Sequence, residues 1–234
     1  MSKIFVAGID TDIGKTYATG LLAKYFMLKN KSVITLKIAQ TGCVGISEDI
    51  LKHREIMNIL LCDYDKDGTT CPYVFKFPAS PHLAAEMENQ SIDPAKISNS
   101  IDILANNFNK LIIEGVGGLL VPLNDMQTSI DFIEKEKLAV ILVSSPKLGS
   151  INHTLLSIEA LKNRNITLLG IIYNCFGDFD NQIKNDSIKV FKSFLNKNDY
   201  PDNIIEINDV SSYTDSDIAS LFDELFLEHL SLKN

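Results

Sequence analysis

The chain has 234 residues, with 22 lysines and arginines against 30 aspartates and glutamates and a formal charge of -8. That balance argues against a general nucleic-acid binder, which needs a basic face to displace counterions, and no uninterrupted apolar stretch approaches the roughly 20 residues that span a bilayer. The length fits one large α/β domain over residues 1–234 better than two small ones, and the N-terminus enters an apolar run at once without room for a signal peptide, so a cytoplasmic location is expected.

The first predicted strand, Ile4 to Ala7, runs into Gly8-Ile9-Asp10-Thr11-Asp12-Ile13-Gly14-Lys15-Thr16, and Ala18, Leu21, Leu22, Tyr25 and Phe26 then repeat at helical spacing. Strand, glycine-bounded loop and helix in this order make a phosphate cradle: loop N–H groups converge on phosphate oxygens and the helix aims its partial positive end at them. Asp12, Ile13, Gly14, Lys15, Thr16 and Tyr17 are the expected nucleotide contacts, with the Lys15 charge near the β- and γ-phosphates and the Thr16 hydroxyl on Mg²⁺. The usual spacing has four residues between the first glycine and Gly-Lys. Ile9 stands where that glycine belongs, and five residues follow Gly8.

Ser32 to Leu36 is the second predicted strand and ends at Lys37, just before Gln40-Thr41-Gly42; an ammonium emerging there faces the loop that carries Lys15. The polar stretch Asp63 to Thr70 reads as a surface loop. A stripe of Ile97, Ile101, Leu104 and Phe108 precedes a strand at Leu111 to Ile113, which delivers Glu114 ahead of a glycine-rich loop, Gly115 to Gly118. That carboxylate suits a Mg²⁺ ligand, or else an acceptor of loop N–H bonds. Strands at Ala139 to Val143, Leu168 to Tyr173 and Ile204 to Ile207 follow, with apolar stripes at Ile151, Leu155, Ile158 and Leu161 and at Ile218, Leu221, Phe222, Leu225 and Phe226. Asn174 ends the fifth strand with an amide able to meet a purine edge.

Strands that are apolar nearly throughout and alternate with amphipathic segments predict a mostly parallel twisted sheet with helices on both faces, the single-domain α/β build of a P-loop NTPase. Ligands in such sheets sit beyond the carboxyl ends of the strands, where the residues named above lie. Cys43, Cys62, Cys71 and Cys175 have no Cys-x-x-Cys spacing, and His53, His82, His153 and His229 show no ligand pairing, so they read as reduced thiols and ordinary histidines.

The phosphate loop resembles that of the dethiobiotin synthetases, which carries the same five-residue spacing. The resemblance continues in order through Lys37-Ile-Ala-Gln-Thr41-Gly42, Phe77-Pro-Ala-Ser80-Pro81-His82, Glu114-Gly-Val-Gly-Gly118, Val121-Pro122-Leu123-Asn-Asp125 and Lys147-Leu148-Gly149-Ser-Ile151-Asn152-His153. It implies an ATP-dependent ligase of biotin biosynthesis: CO₂ (or bicarbonate) and one amine of 7,8-diaminopelargonate form a carbamate, ATP phosphorylates it, and the second amine closes the cyclic urea. It further implies Lys37, Lys15 and Thr11 as catalytic residues, and Thr16 and Glu114 as Mg²⁺ ligands with a second carboxylate, where Asp49 fits the local pattern, Glu55 fits the spacing to Pro72 better, and Asp49 is preferred. Glu114, Gly117 and Asn174 would join the nucleotide site. Thr41, Gly117, Gly118, Leu148, Gly149 and Asn152 would contact substrate.

The family site lies at a homodimer interface, so Leu148 to His153 would serve the partner's substrate tail, its helix N-terminus receiving a carboxylate; capping of that helix by Asn152 or His153 is the alternative. After Asn174 the pattern departs: Ile204 to Asp209 lacks the proline-bearing segment that frames adenine in many relatives, which leaves base selectivity open. Two other readings share the nucleotide site. One is a different P-loop amidoligase or kinase-like enzyme; the other is a nucleotide-driven partitioning-type switch, disfavoured because Ile9 and Asp10 stand where its extra lysine is expected and the acidic C-terminal helix cannot serve as a basic membrane tail.

Overall fold

The computed structural model describes residues 2–226; His229 lies outside them. In chain order the elements are β1 (Ser2–Gly8), α1 (Lys15–Leu28), β2 (Val33–Lys37), β3 (Gln40–Thr41), α2 (Glu48–Met57), α3 (Asp63–Lys66), β4 (Val74–Phe75), α4 (Pro81–Met87) and α5 (Pro94–Asn107). There follow β5 (Lys110–Gly118), α6 (Ser129–Lys135), β6 (Ala139–Ser144), α7 (Ser150–Asn163), β7 (Leu168–Asn174), α8 (Asn181–Lys197), β8 (Ile204–Ile207), α9 (Asp215–Leu221) and α10 (Asp223–Phe226).

Six strands form one sheet in the order β2-β5-β1-β6-β7-β8, and every pairing in it is parallel. Leu111, Ile112 and Ile113 of β5 and Val140 to Val143 of β6 are wholly buried, as central strands covered on both faces must be. The chain starts in the middle with β1, adds β2 and β5 on one side and β6 to β8 on the other. The reversal beside β1 opens a crevice at the strands' carboxyl ends.

All six predicted strands are present, but three expectations need correction. Gly115 to Gly118 is not a free loop: it is the last part of β5, where Gly118 pairs with Gly8. Neighbours too close for side chains explain the glycines, since a Cβ on Gly115 would lie 2.8 Å from the Phe5 ring and Gly117 has φ 58. Asp63 to Thr70 is not a plain surface loop, because α3 buries Asp65 and the turn after it buries Thr70. The C-terminal stripe divides at Phe222 into α9 and α10, where Asp223 takes hydrogen bonds from Tyr25 Oη at 2.8 Å and Lys29 Nζ at 2.9 Å. These tie the last turn to α1.

The α2 helix starts at Ser47, whose Oγ accepts from the Ile50 amide, and Gln40 Oε1 accepts from both Ser47 Oγ (2.8 Å) and the Asp49 amide (3.3 Å). Its approach to α1 is close. A Cβ added at buried Gly20 would sit 2.8 Å from Ile56 Cδ1.

Candidate nucleotide and metal site

The β1–α1 loop needs two left-handed residues, Asp12 at φ 51 and Gly14 at φ 91. At Gly14 there is also no space for a side chain, because a Cβ would collide with the Asn174 amide. The α1 helix begins with no side-chain cap and no acidic residue in its first turn. Its first N–H groups and partial positive charge therefore stay open to an anion.

A cavity of about 800 Å³ lies over this loop and takes in Thr11, Asp12, Gly14, Lys15, Thr16 and Tyr17. Lys37, Thr41, Glu114, Gly117 and Asn174 line it from the other strand ends, and Asp49 from the first turn of α2. Ile13 is packed in the core instead, its carbonyl accepting from Asn174 Nδ2 at 2.9 Å. Asn174 Oδ1 accepts from the Phe176 amide at 3.1 Å, so each half of that amide already serves the backbone and keeps one further bonding position. Beyond β8 the far wall is Asn208 to Ser211 with Tyr213. Of these, Asn208 and Asp209 belong to the segment whose missing proline leaves base selectivity open.

At the cavity floor Lys37 and Glu114 are cross-strand neighbours on β2 and β5. The buried Lys37 ammonium contacts Asp49 Oδ2 at 2.6 Å, Glu114 Oε1 at 2.8 Å and the Gly115 carbonyl at 2.9 Å. Thr16 Oγ1 lies 2.9 Å from Asp49 Oδ1 and 3.1 Å from Glu114 Oε1. The same two carboxylates are thus shared by a hydroxyl and a cation. Glu55, the other candidate carboxylate, also lines the cavity but pairs with Lys52 and does not reach Lys37 or Thr16.

Burial disfavours the charge on Lys37, but Glu114 and Asp49 outweigh it and hold its pKa above the ordinary lysine value. Burial likewise pushes Glu114 up, and Lys37 with the hydrogen bond to His53 brings it well below the usual carboxylate range. Among the described residues Lys15 makes no ion pair and its Nζ donates to the Asp10 carbonyl at 2.6 Å; burial together with repulsion from Lys37 outweighs the attraction of Glu114 and Asp49 and lowers its pKa to about 8. An anion arriving between the two lysines relieves that penalty.

Among the described residues no group of three or more His, Cys, Asp or Glu side chains could hold a metal by themselves. Two carboxylates and one hydroxyl are nevertheless hard oxygen donors of the kind Mg²⁺ takes when phosphate oxygens and water complete its octahedron. Leu148, Gly149 and Asn152 are elsewhere, outside the cavity lining at the start of α7. Leu148 is 100% exposed. Gly149, at φ 90, begins the helix without a side-chain cap, so Asn152 and His153 do not fill that role.

His53, read from the sequence as ordinary, touches Glu114 at 2.7 Å. Its signal was present, since it lies four residues after Asp49 on the same face of α2. No described helix is long and apolar enough to cross a membrane.

Residues 2–214 match the family model described as an AAA domain. The chain is 45% identical to an ATP-dependent dethiobiotin synthetase of Pasteurella multocida, across 91% of this chain and 100% of that protein. It is 52% identical to one of Haemophilus ducreyi (77% and 85% covered) and 48% identical to one of Chlorobaculum tepidum (82% and 80%). Among solved structures, a Borrelia burgdorferi plasmid partition protein aligns with TM-score 0.58 at 12% identity, covering 99% of this chain and 98% of that one. The Aquifex aeolicus MinC:MinD cell division complex aligns with TM-score 0.55 at 14% identity, covering 99% and 96%. At such identities these likenesses show the fold alone.

Proposed function

Because this chain belongs to the family of ATP-dependent dethiobiotin synthetases, ATP-dependent ligases of biotin biosynthesis, we propose that its cavity joins carbon dioxide to one amine of 7,8-diaminopelargonate and closes the ureido ring through a phosphorylated carbamate. The observation that carries this reading is the buried Lys37 ammonium, which shares a cavity with Lys15. Two cations lining one cavity can stabilise one carbamate oxygen and the phosphoryl group moving to it, where negative charge builds up.

The residues divide by reach. The loop amides from Asp12 to Tyr17 and the open start of α1 hold the triphosphate, while Lys15 leaves the Asp10 carbonyl for the phosphoryl oxygens. Thr16, Asp49 and Glu114 hold Mg²⁺, which when bound screens the β- and γ-phosphate charges. Thr11 lies beside the reacting group, and Thr41 donates a hydrogen bond to the carbamate. Gly117 and Gly118 let the diamine approach the β5 backbone, and Asn174 joins the nucleotide contacts. Transfer of the γ-phosphoryl to the carbamate oxygen breaks its bond to ADP; the second amine then attacks the carbonyl carbon of the mixed carbamic-phosphoric anhydride and loses a proton, and the C–O bond to phosphate breaks to give the cyclic urea and phosphate.

Exposed Leu148, with Gly149 and Asn152 at an uncapped helix start, fits contact with the substrate tail of a second copy in a homodimer. Residues 1–234 then act as one cytoplasmic domain.

Purified protein will form ADP from ATP and Mg²⁺ only when both diaminopelargonate and bicarbonate are present, as read by a coupled ADP assay. Equal ADP formation without the diamine would favour a nucleotide-driven switch and overturn the ligase chemistry.

A further inference from the structure

Behind the proposed metal ligands runs a buried chain of polar side chains that the reaction does not touch. Asp65 Oδ1 and Oδ2 accept from Arg54 Nη2 at 2.8 Å and Nε at 3.0 Å. Arg54 Nη1 donates to Thr35 Oγ1 at 2.8 Å. Thr35 Oγ1 lies 3.0 Å from His53 Nδ1, and His53 Nε2 lies 2.7 Å from Glu114 Oε2. Thr35, His53 and Glu114 have no exposed surface, and Arg54 and Asp65 are at most 3% exposed.

Arg54, which only donates, gives a hydrogen bond to Thr35 Oγ1, and the Glu114 carboxylate, which only accepts, takes one from His53 Nε2. In the neutral ring this leaves Nδ1 as the acceptor of the Thr35 hydroxyl hydrogen. With Nδ1 accepting, the ring carries its hydrogen on Nε2 and donates it to Glu114 Oε2. One Glu114 oxygen is thereby fixed by the ring, and the other, Oε1, is turned to Thr16 and Lys37.

We infer that His53 is a positioning residue for Glu114, aimed through Thr35 by the Arg54–Asp65 pair, and that it presents a single carboxylate oxygen to the divalent cation. This inference rests on the Mg²⁺ site proposed above. The helix geometry supports it independently, because Asp49 and His53 lie one turn apart on α2, so the element that brings one carboxylate also brings the clamp for the other. A carboxylate free to rotate or to bind with both oxygens would lose the preorganisation that tight, octahedral Mg²⁺ binding needs.

The test is Mn²⁺ binding followed by electron paramagnetic resonance of the free ion, with a non-hydrolysable ATP analogue present, on the intact protein and on His53→Leu, His53→Gln and Thr35→Val. His53→Leu is expected to weaken Mn²⁺ binding about 10- to 100-fold, while analogue binding in EDTA stays the same. His53→Gln, whose amide can place a donor where Nε2 stood, is expected to recover most of the loss. Thr35→Val, which removes the hydroxyl but keeps the shape, is expected to cost about tenfold, and it decides the matter if His53→Leu does not fold. Mn²⁺ affinity unchanged in both Thr35→Val and His53→Leu would overturn the positioning role. Equal losses in His53→Leu and His53→Gln would also overturn it. If the intact protein itself binds no Mn²⁺ with the analogue present, the metal site fails and this inference fails with it.

Discussion

Lys37→Ala will lower turnover by about 100-fold or more while nucleotide binding remains measurable, the loss expected when a preorganised charge disappears from a water-excluded site. The structure adds a second consequence. Lys37 is the cation between Asp49 and Glu114, so its removal leaves two carboxylates facing each other across the Thr16 hydroxyl without the cation they share. Removing one partner of a buried pair costs on the order of 3–5 kcal/mol. The metal-free variant should therefore melt at a lower temperature, and Mg²⁺ should raise its melting temperature by more than it raises that of the unchanged protein. Steady-state kinetics and a thermal melt with and without Mg²⁺ check both parts. Unchanged turnover would remove Lys37 from the chemistry.

Asp65→Asn is expected to destabilise the fold by about 3–5 kcal/mol, since it leaves the buried Arg54 guanidinium with no counter-charge. At about 2–4 °C per kcal/mol for a chain of this size, the melting temperature should fall by roughly 6–20 °C. The pH dependence has a definite sign. Burial raises the Asp65 carboxyl, but the Arg54 guanidinium, with the Cys62 amide and the Thr70 hydroxyl, brings it below the ordinary aspartate value. A group whose folded pKa is depressed contributes stability above its unfolded pKa and loses it as pH falls toward the folded one. Urea melts between pH 7 and pH 3 should show the gap between the two proteins constant down to about pH 4 and narrowing below it. A gap that widens on acidification would show that Asp65 is not held as a carboxylate.

Strands were easy to read from the sequence because central strands covered on both faces are apolar without interruption, as Ile4 to Ala7 and Ala139 to Val143 are. The phosphate loop was equally legible, because Gly14-Lys15-Thr16 stood between a strand and a helical stripe. The α2 helix was not read from periodicity. Its inward positions are Ile50, His53, Arg54 and Met57, at the spacing of a helix face, but two of the four are polar and the stripe vanishes from a hydrophobicity pattern. The same substitution of polar for apolar hides Asp65 and Thr70, which looked like loop residues; Asp65 is the buried partner of Arg54, and the Thr70 hydroxyl donates to Asp65. The strands β3 and β4 were missed because two residues carry no alternation. What the sequence concealed is one polar core, and it lies directly behind the carboxylate that the sequence did reveal.

The close approach at Gly20 links catalysis to thermostability engineering. An alanine inside a helix ordinarily improves stability by about 1 kcal/mol over glycine, and position 20 would be an obvious target in any screen for hardier variants. Here the added methyl would lie 2.8 Å from Ile56 Cδ1 and 3.0 Å from its Cβ, so the Ile56 side chain must turn or α2, which carries Asp49 and His53, must give by a few tenths of an ångström. The missing side chain acts as a spacer gauge for the reaction centre, and a more rigid protein obtained at that position would be a slower one.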